Sequence, residues 1–244
     1  MFERLKKIFS AAPSGVANSA SALTRQDSQL LADWAQQQGF AYTDQPMQDA
    51  KGKPAGDGFV VKGRTQGKPW QMECGLPSRD FIQGQELRGR CDLGVLDAVS
   101  VVLMNRPLKV ALEKRAYSLY TDSLQTMVDP QLPEEMRWLA VYQEVGWASL
   151  PNMFLDRYAV LASKREHAVS WLNADVAQAL MSWPPSGPSS EVPFILMLLR
   201  GKCYFRMEYP QVELANLQHV AKIYSVACES ALRNVAQSTA TGSS

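Results

Sequence analysis

Gly84-Gln-Glu-Leu-Arg-Gly-Arg-Cys-Asp-Leu93 is the stretch that decides the fold. Leu87, Gly89, Cys91 and Leu93 fall on one side of an extended chain, and Glu86, Arg88, Arg90 and Asp92 on the other. Side chains alternate across a strand, so this pattern predicts a strand with one buried and one wet face. Phe59-Val-Val-Lys-Gly-Arg64 and Pro69-Trp-Gln-Met-Glu-Cys74 flank a turn at Gln66-Gly67 and read as a hairpin. With Val99-Ser-Val-Val-Leu-Met104 these segments suggest an antiparallel meander that is solvated on one face. Further on, Tyr158-Ala-Val-Leu-Ala162 predicts a strand, and Cys203 to Tyr209 pairs with Phe194-Ile-Leu-Met-Leu-Leu199 around Gly201. The latter run is apolar on both faces, which marks a central, doubly covered strand.

Between the strands the period becomes helical. Thr24-Arg-Gln-Asp27 has the form of a helix start, with Leu30, Leu31 and Trp34 on one face and Gly39 as the stop. Phe40-Ala-Tyr-Thr43 is expected as a short strand and residues 45–57 as loop. A helix runs from Pro107 on the spacing of Leu108, Ala111 and Leu112, and another begins at Pro133. Residues 164–183 read as helix broken at Asn173, and residues 211–236 as a long helix lying across the sheet. Gly67-Lys68 and Gly201-Lys202 give both halves a similar hairpin, too thin a match to count as a repeat. The fold class is therefore α+β: an antiparallel sheet, or two related sheets, covered by helices with a long C-terminal one. One domain is expected over 23–236, either a single unit or two related halves meeting near 125–150, with a tether over 10–22 and a tail over 237–244.

Across 244 residues, 25 Lys and Arg face 24 Asp and Glu, a formal net charge of +1. That balance argues against a nucleic-acid binder, as does the absence of an aromatic and basic stripe. Cys74, Cys91, Cys203 and Cys228 form no C-x-x-C pair and each sits in an apolar stretch, so a reducing, cytoplasmic setting is expected.

The N-terminus reads as an address. Phe2, Leu5, Ile8 and Phe9 share a helical face, with Arg4, Lys6 and Lys7 opposite. Three readings compete: a signal peptide interrupted by Pro13 and Gly15, a helix docked on its own domain, and an amphipathic helix on an anionic membrane surface. In the last case Phe2, Leu5, Lys6, Lys7, Ile8 and Phe9 make the contact.

Catalytic motifs are missing. Gly63-Arg-Thr-Gln-Gly67-Lys68 only superficially resembles a phosphate loop, being one residue short and followed by Pro69. His167 and His219 are the only histidines; the first reads as an exposed helix residue and the second as partly buried. No cofactor or metal is expected. The remaining chemistry is that of carboxylates and arginines. Arg64, Glu73, Glu86, Arg88 and Arg90 form a candidate anion-binding face, for which the competing reading is cross-strand ion pairing. Arg79 and Asp80, in the loop Pro77-Ser-Arg-Asp80-Phe-Ile82, either join that site or cap a turn. The expected function is a non-catalytic, adaptor-like protein that binds another protein, peripheral to a membrane through residues 1–9. The alternative is an enzyme or binding protein for an anionic small molecule.

Overall fold

In the computed structural model, which describes residues 23–123 and 133–235, the alternation becomes one nine-stranded antiparallel sheet. The chain forms α1 (Arg25–Gln37), β1 (Ala41–Gln48), β2 (Pro54–Thr65), β3 (Lys68–Gly75), β4 (Glu86–Asp92) and β5 (Ser100–Asn105). It continues with α2 (Arg106–Ser123), α3 (Glu134–Val141), β6 (Gln143–Glu144), α4 (Asn152–Arg157), β7 (Tyr158–Ala162), α5 (Arg165–Trp171) and α6 (Ala174–Met181). A hairpin of β8 (Phe194–Leu199) and β9 (Lys202–Glu208) precedes α7 (Leu214–Ser230), which ends in a π turn over Ala231–Val235. The architecture is α+β, as the sequence indicates.

Topology departs from the expected meander. Strand order is β1-β2-β3-β4-β9-β8-β5-β7-β6, so β4 pairs with β9 and β5 lies three places from it. The β8–β9 hairpin is inserted between them. Both two-residue turns take positive φ at each position: Gln66 (48°) with Gly67 (79°), and Arg200 (52°) with Gly201 (72°). That backbone matches the twist of paired strands, which is why each turn carries a glycine.

Helices cover the two faces unequally. On one face α1 and α4 to α7 pack over the whole sheet, meeting Phe59, Val61, Trp70, Met72, Leu87, Phe205, Leu196 and Val160. On the other, Leu108 and Leu112 of α2 and Trp138 of α3 reach only Val102, Met104, Leu161, Ile195, Met197 and Leu199. This explains the two apolar faces of Phe194–Leu199, and among the described residues no helix covers β1 to β4 on that side.

Three expectations are corrected. The stretch 45–57 is mostly strand, because β1 and β2 pair from Ala41↔Lys62 to Gln48↔Pro54. As the edge strand, β1 has no apolar alternation to reveal it; Met47 is its one buried residue. The last helix starts at Leu214 instead of 211, where the Tyr209 hydroxyl donates to the Glu213 carbonyl and accepts from its N–H. His167 is half-buried rather than exposed. Other expectations are met: Thr24 and Asp27 form a reciprocal capping box, and Asn173 caps α6 at the predicted break. The membrane-contact residues Phe2 to Phe9, the tether and the tail lie outside the described residues. Among the described residues no helix is long and apolar enough to cross a membrane.

Candidate functional site

The half of the sheet that no described helix covers on this side is built by period-two alternation on four neighbouring strands. Once Phe59, Val61, Trp70, Met72, Leu87, Cys91, Cys203 and Phe205 are committed to the core, their neighbours must face outward. Registers then fix the rows. Glu73, Arg88 and Arg206 lie side by side across β3, β4 and β9. The next row runs Lys62, Gln71, Arg90 and Tyr204. Arg64 sits one row further along β2, beyond Lys62.

These side chains line a broad concavity of about 1010 Å³, bounded at one end by Gln38 to Ala41 and at the other by Tyr204 and Arg206. Its lining holds five cations, Lys62, Arg64, Arg88, Arg90 and Arg206, against the carboxylates Glu73 and Asp92. Two cations are already compensated. Arg88 donates to Glu73 at 2.5 Å, and Arg206 donates to Glu86 at 2.5 Å and to the Ser78 hydroxyl. Partial burial works against the charge of Arg88, yet the hydrogen bond and charge of Glu73 hold its pKa above the usual value. Arg64 donates to the Gly67 carbonyl at 3.2 Å. Among the described residues Lys62, Arg64 and Arg90 have no carboxylate partner, and all three are exposed.

The sequence-predicted residues therefore divide. Arg64, Glu73, Arg88 and Arg90 do share one surface. Glu86 does not reach solvent: it is 0% exposed beneath the loop after β3, accepting from the Ser78 N–H at 2.7 Å and from Arg206. Its register partner Glu208 is also buried and accepts from the Gln83 N–H at 2.9 Å. Two carboxylates placed opposite one another are costly to bury, and backbone donors and arginine offset that cost.

Arg79 and Asp80 are drawn away from the concavity. Arg79 pairs with the buried Glu135 and, at 3.6 Å, with Glu134, both in the first turn of α3. Asp80 accepts from Arg115 of α2 at 3.2 Å. Their loop is a strap that holds both helices onto the sheet, with Phe81 and Ile82 packed beneath it.

Sequence reading missed Tyr204 and Arg206, although Cys203-Tyr-Phe-Arg-Met-Glu208 carries the same alternation. It also missed a crevice of about 210 Å³ where α3 meets β8 and β9, lined by Trp138, Tyr142, Met197, Leu199, Tyr204 and Arg206 among others. All four cysteines are free and buried. Cys91 and Cys203 are register partners under α7, and contact with Cys228 together with burial pushes the Cys91 thiol up, so it stays protonated.

No protein-family model matches the chain, and no curated protein matches it. Among solved structures it is similar to the crystal structure of the mycobacterial trehalose monomycolate transport factor A, TtfA, at 12% sequence identity and a TM-score of 0.45. The match covers 87% of this chain and 97% of that one. A similarity at this level does not extend to a shared activity or site.

Proposed function

We propose that this is a non-catalytic protein-binding protein, adaptor-like, whose uncovered sheet face takes an acidic segment of a partner. The observation that carries this reading is the exposed trio Lys62, Arg64 and Arg90, without carboxylate partners among the described residues, in a concavity whose other cations are paired. Spacing favours an extended segment over one small anion. Lys62 and Arg90 leave the sheet two strand spacings apart, about 10 Å between backbones, with Arg64 a row further along β2, so the positive charge is spread over three strands. Carboxylates along an extended chain cover that span, and complementary charge at exposed positions gives orientation and fast association.

The test is titration of the full chain with a capped six-aspartate peptide, followed by calorimetry at low and moderate salt. Binding should weaken as salt rises and should fall about tenfold in Arg90→Glu with little change in Tm. If Arg90→Glu binds like the parent, the face is only a solvated surface. If inorganic phosphate binds as tightly as the peptide, the small-anion reading takes its place.

The amphipathic pattern of residues 1–9 supports a peripheral placement at an anionic membrane. Co-sedimentation with anionic vesicles should be salt-sensitive for the full chain and lost in a chain starting at Ser10. Equal pelleting of the two would remove the membrane contact from this reading.

A further inference from the structure

We propose that the acidic segment is recognised in a phosphorylated form, with one phosphoserine group seated over Gln71 between Lys62 and Arg90; this rests on the reading of the open face above. The seat follows from register. Gln71 of β3 pairs with Lys62 of β2 on one side and with Arg90 of β4 on the other, each one strand spacing or about 4.8 Å away. All three side chains leave the same face, are exposed and line the same concavity. The long stems of lysine and arginine can lean across one strand, so the two charges can close on the Gln71 amide from opposite sides. Arg64 bounds the seat toward the β2–β3 turn, where the Gly67 carbonyl takes one N–H of its guanidinium fork.

Charge and donor count select the group. Lys62, Arg64 and Arg90 bring three cations whose N–H groups only donate, and the Gln71 amide adds two further donors. The two acids lining the concavity are engaged by other cations, Glu73 by Arg88 at 2.5 Å and Asp92 by Lys202 at 3.5 Å. A carboxylate carries a single charge and is satisfied by one guanidinium, which leaves the other two cations of the seat uncompensated. A phosphomonoester carries about −1.5 to −2 charges at neutral pH and presents three strong acceptor oxygens, so it can accept from three sides at once. Arginine clusters recognise phosphorylated segments on this basis. Size selects the carrier. At about 1010 Å³ the concavity is far larger than a phosphate ion, so the group arrives on a chain that occupies the remaining surface.

The probes are capped five-residue peptides in which aspartates flank a central phosphoserine or glutamate, with inorganic phosphate alone as the third ligand. In calorimetry against the full chain at low salt and about pH 7.5, the phosphoserine peptide should bind about tenfold more tightly than the glutamate peptide. That advantage should shrink about threefold at about pH 5.5, below the second phosphate pKa of about 6, while aspartate stays ionised. No histidine is among the described residues lining the concavity, so the titration read in this window is the ligand's. Gln71→Glu sets a fixed carboxylate of nearly the same shape at the centre of the seat, on an exposed position where the fold should tolerate it. It should erase the phosphoserine advantage, whereas Gln71→Asn, which adds no charge, should keep most of it. Equal affinity of the phosphoserine and glutamate peptides overturns the phosphoryl seat and leaves the basic-face reading standing. An advantage that survives Gln71→Glu, or that is the same at both pH values, also overturns it. Inorganic phosphate binding as tightly as the phosphoserine peptide overturns it in favour of a free-anion site. Failure of every peptide to bind overturns both readings.

Discussion

His219 shows what one residue's surroundings do that its sequence position does not announce. Its ring lies 4.8 Å from that of Trp183, and its Nε2–H donates to the Ala179 carbonyl at 2.9 Å. Burial pulls its pKa below the ordinary 6.5; the carbonyl resists, and the charges of Lys222 and Arg157 add to the lowering. His167 is lowered too, first by burial, and its Nδ1 is buried with no hydrogen-bond partner among the described residues. In both cases the unfolded chain takes up a proton on acidification before the folded one does. Stability contributed by these groups is therefore intact above about pH 6.5 and falls as pH drops toward their lower folded values. The Tm should be lower at about pH 5.5 than at about pH 7.5, and His219→Gln, which keeps a donor for Ala179, should narrow that gap. An unchanged gap in His219→Gln would assign the acid sensitivity elsewhere. The sequence places His219 beside an apolar stripe, hence partly buried. Trp183 arrives from the loop after α6, and no local pattern links the two.

Among the elements, β4 is the one whose reading transfers most fully to the structure, and Gly89 shows why it had to be a strand with no side chain at that point. Gly89 pairs with Phe205 of β9, and a Cβ there would meet the Phe205 ring at 2.2 and 2.4 Å and Tyr224 at 3.3 Å. The Phe205 and Tyr224 rings sit 5.1 Å apart, and the Tyr224 hydroxyl donates to the Cys203 carbonyl at 2.9 Å. Gly89 thus gives the space in which α7 docks on β9. Replacing it by alanine is overpacking, expected to cost about 2 kcal/mol in denaturant unfolding. A cost below about 0.5 kcal/mol would mean that Phe205 swings away freely. The alternation, the capping box at Thr24 and the break at Asn173 were legible because each is decided within a few residues. The strand β1 was not, since an exposed edge is held by its ladder to β2 and carries no apolar signature.

At the scale of the whole molecule, helices among the described residues cover one sheet face throughout and the other only in part, and this decides which of the described charges stay available. Arg64, Glu73, Arg88 and Arg90 were legible together because three consecutive strands carry them. Arg206 and Tyr204 come from a hairpin late in the chain, and only insertion of that hairpin beside β4 brings them to the site. The same topology turns Glu86 from a surface acid into a buried one, beneath the strap that also carries Arg79. The strap fixes the boundary of the covered half. Glu135 in α3 is 1% exposed and depends on Arg79, whose own side chain keeps 28% of its exposure. Removing Arg79 would leave a buried carboxylate uncompensated. Arg79→Ala should therefore destabilise the fold by about 3 kcal/mol, the low end of the range for a broken buried pair because Arg79 still touches water. Amide exchange in α3 should accelerate more than exchange in α7, since the strap holds only the former. The double variant Arg79→Ala, Glu135→Gln should regain more than half of the lost stability, because the amide needs no counter-charge. If the double variant is no more stable than Arg79→Ala alone, the strap acts through Phe81 and Ile82, and the ion pair contributes little to holding α3 in place.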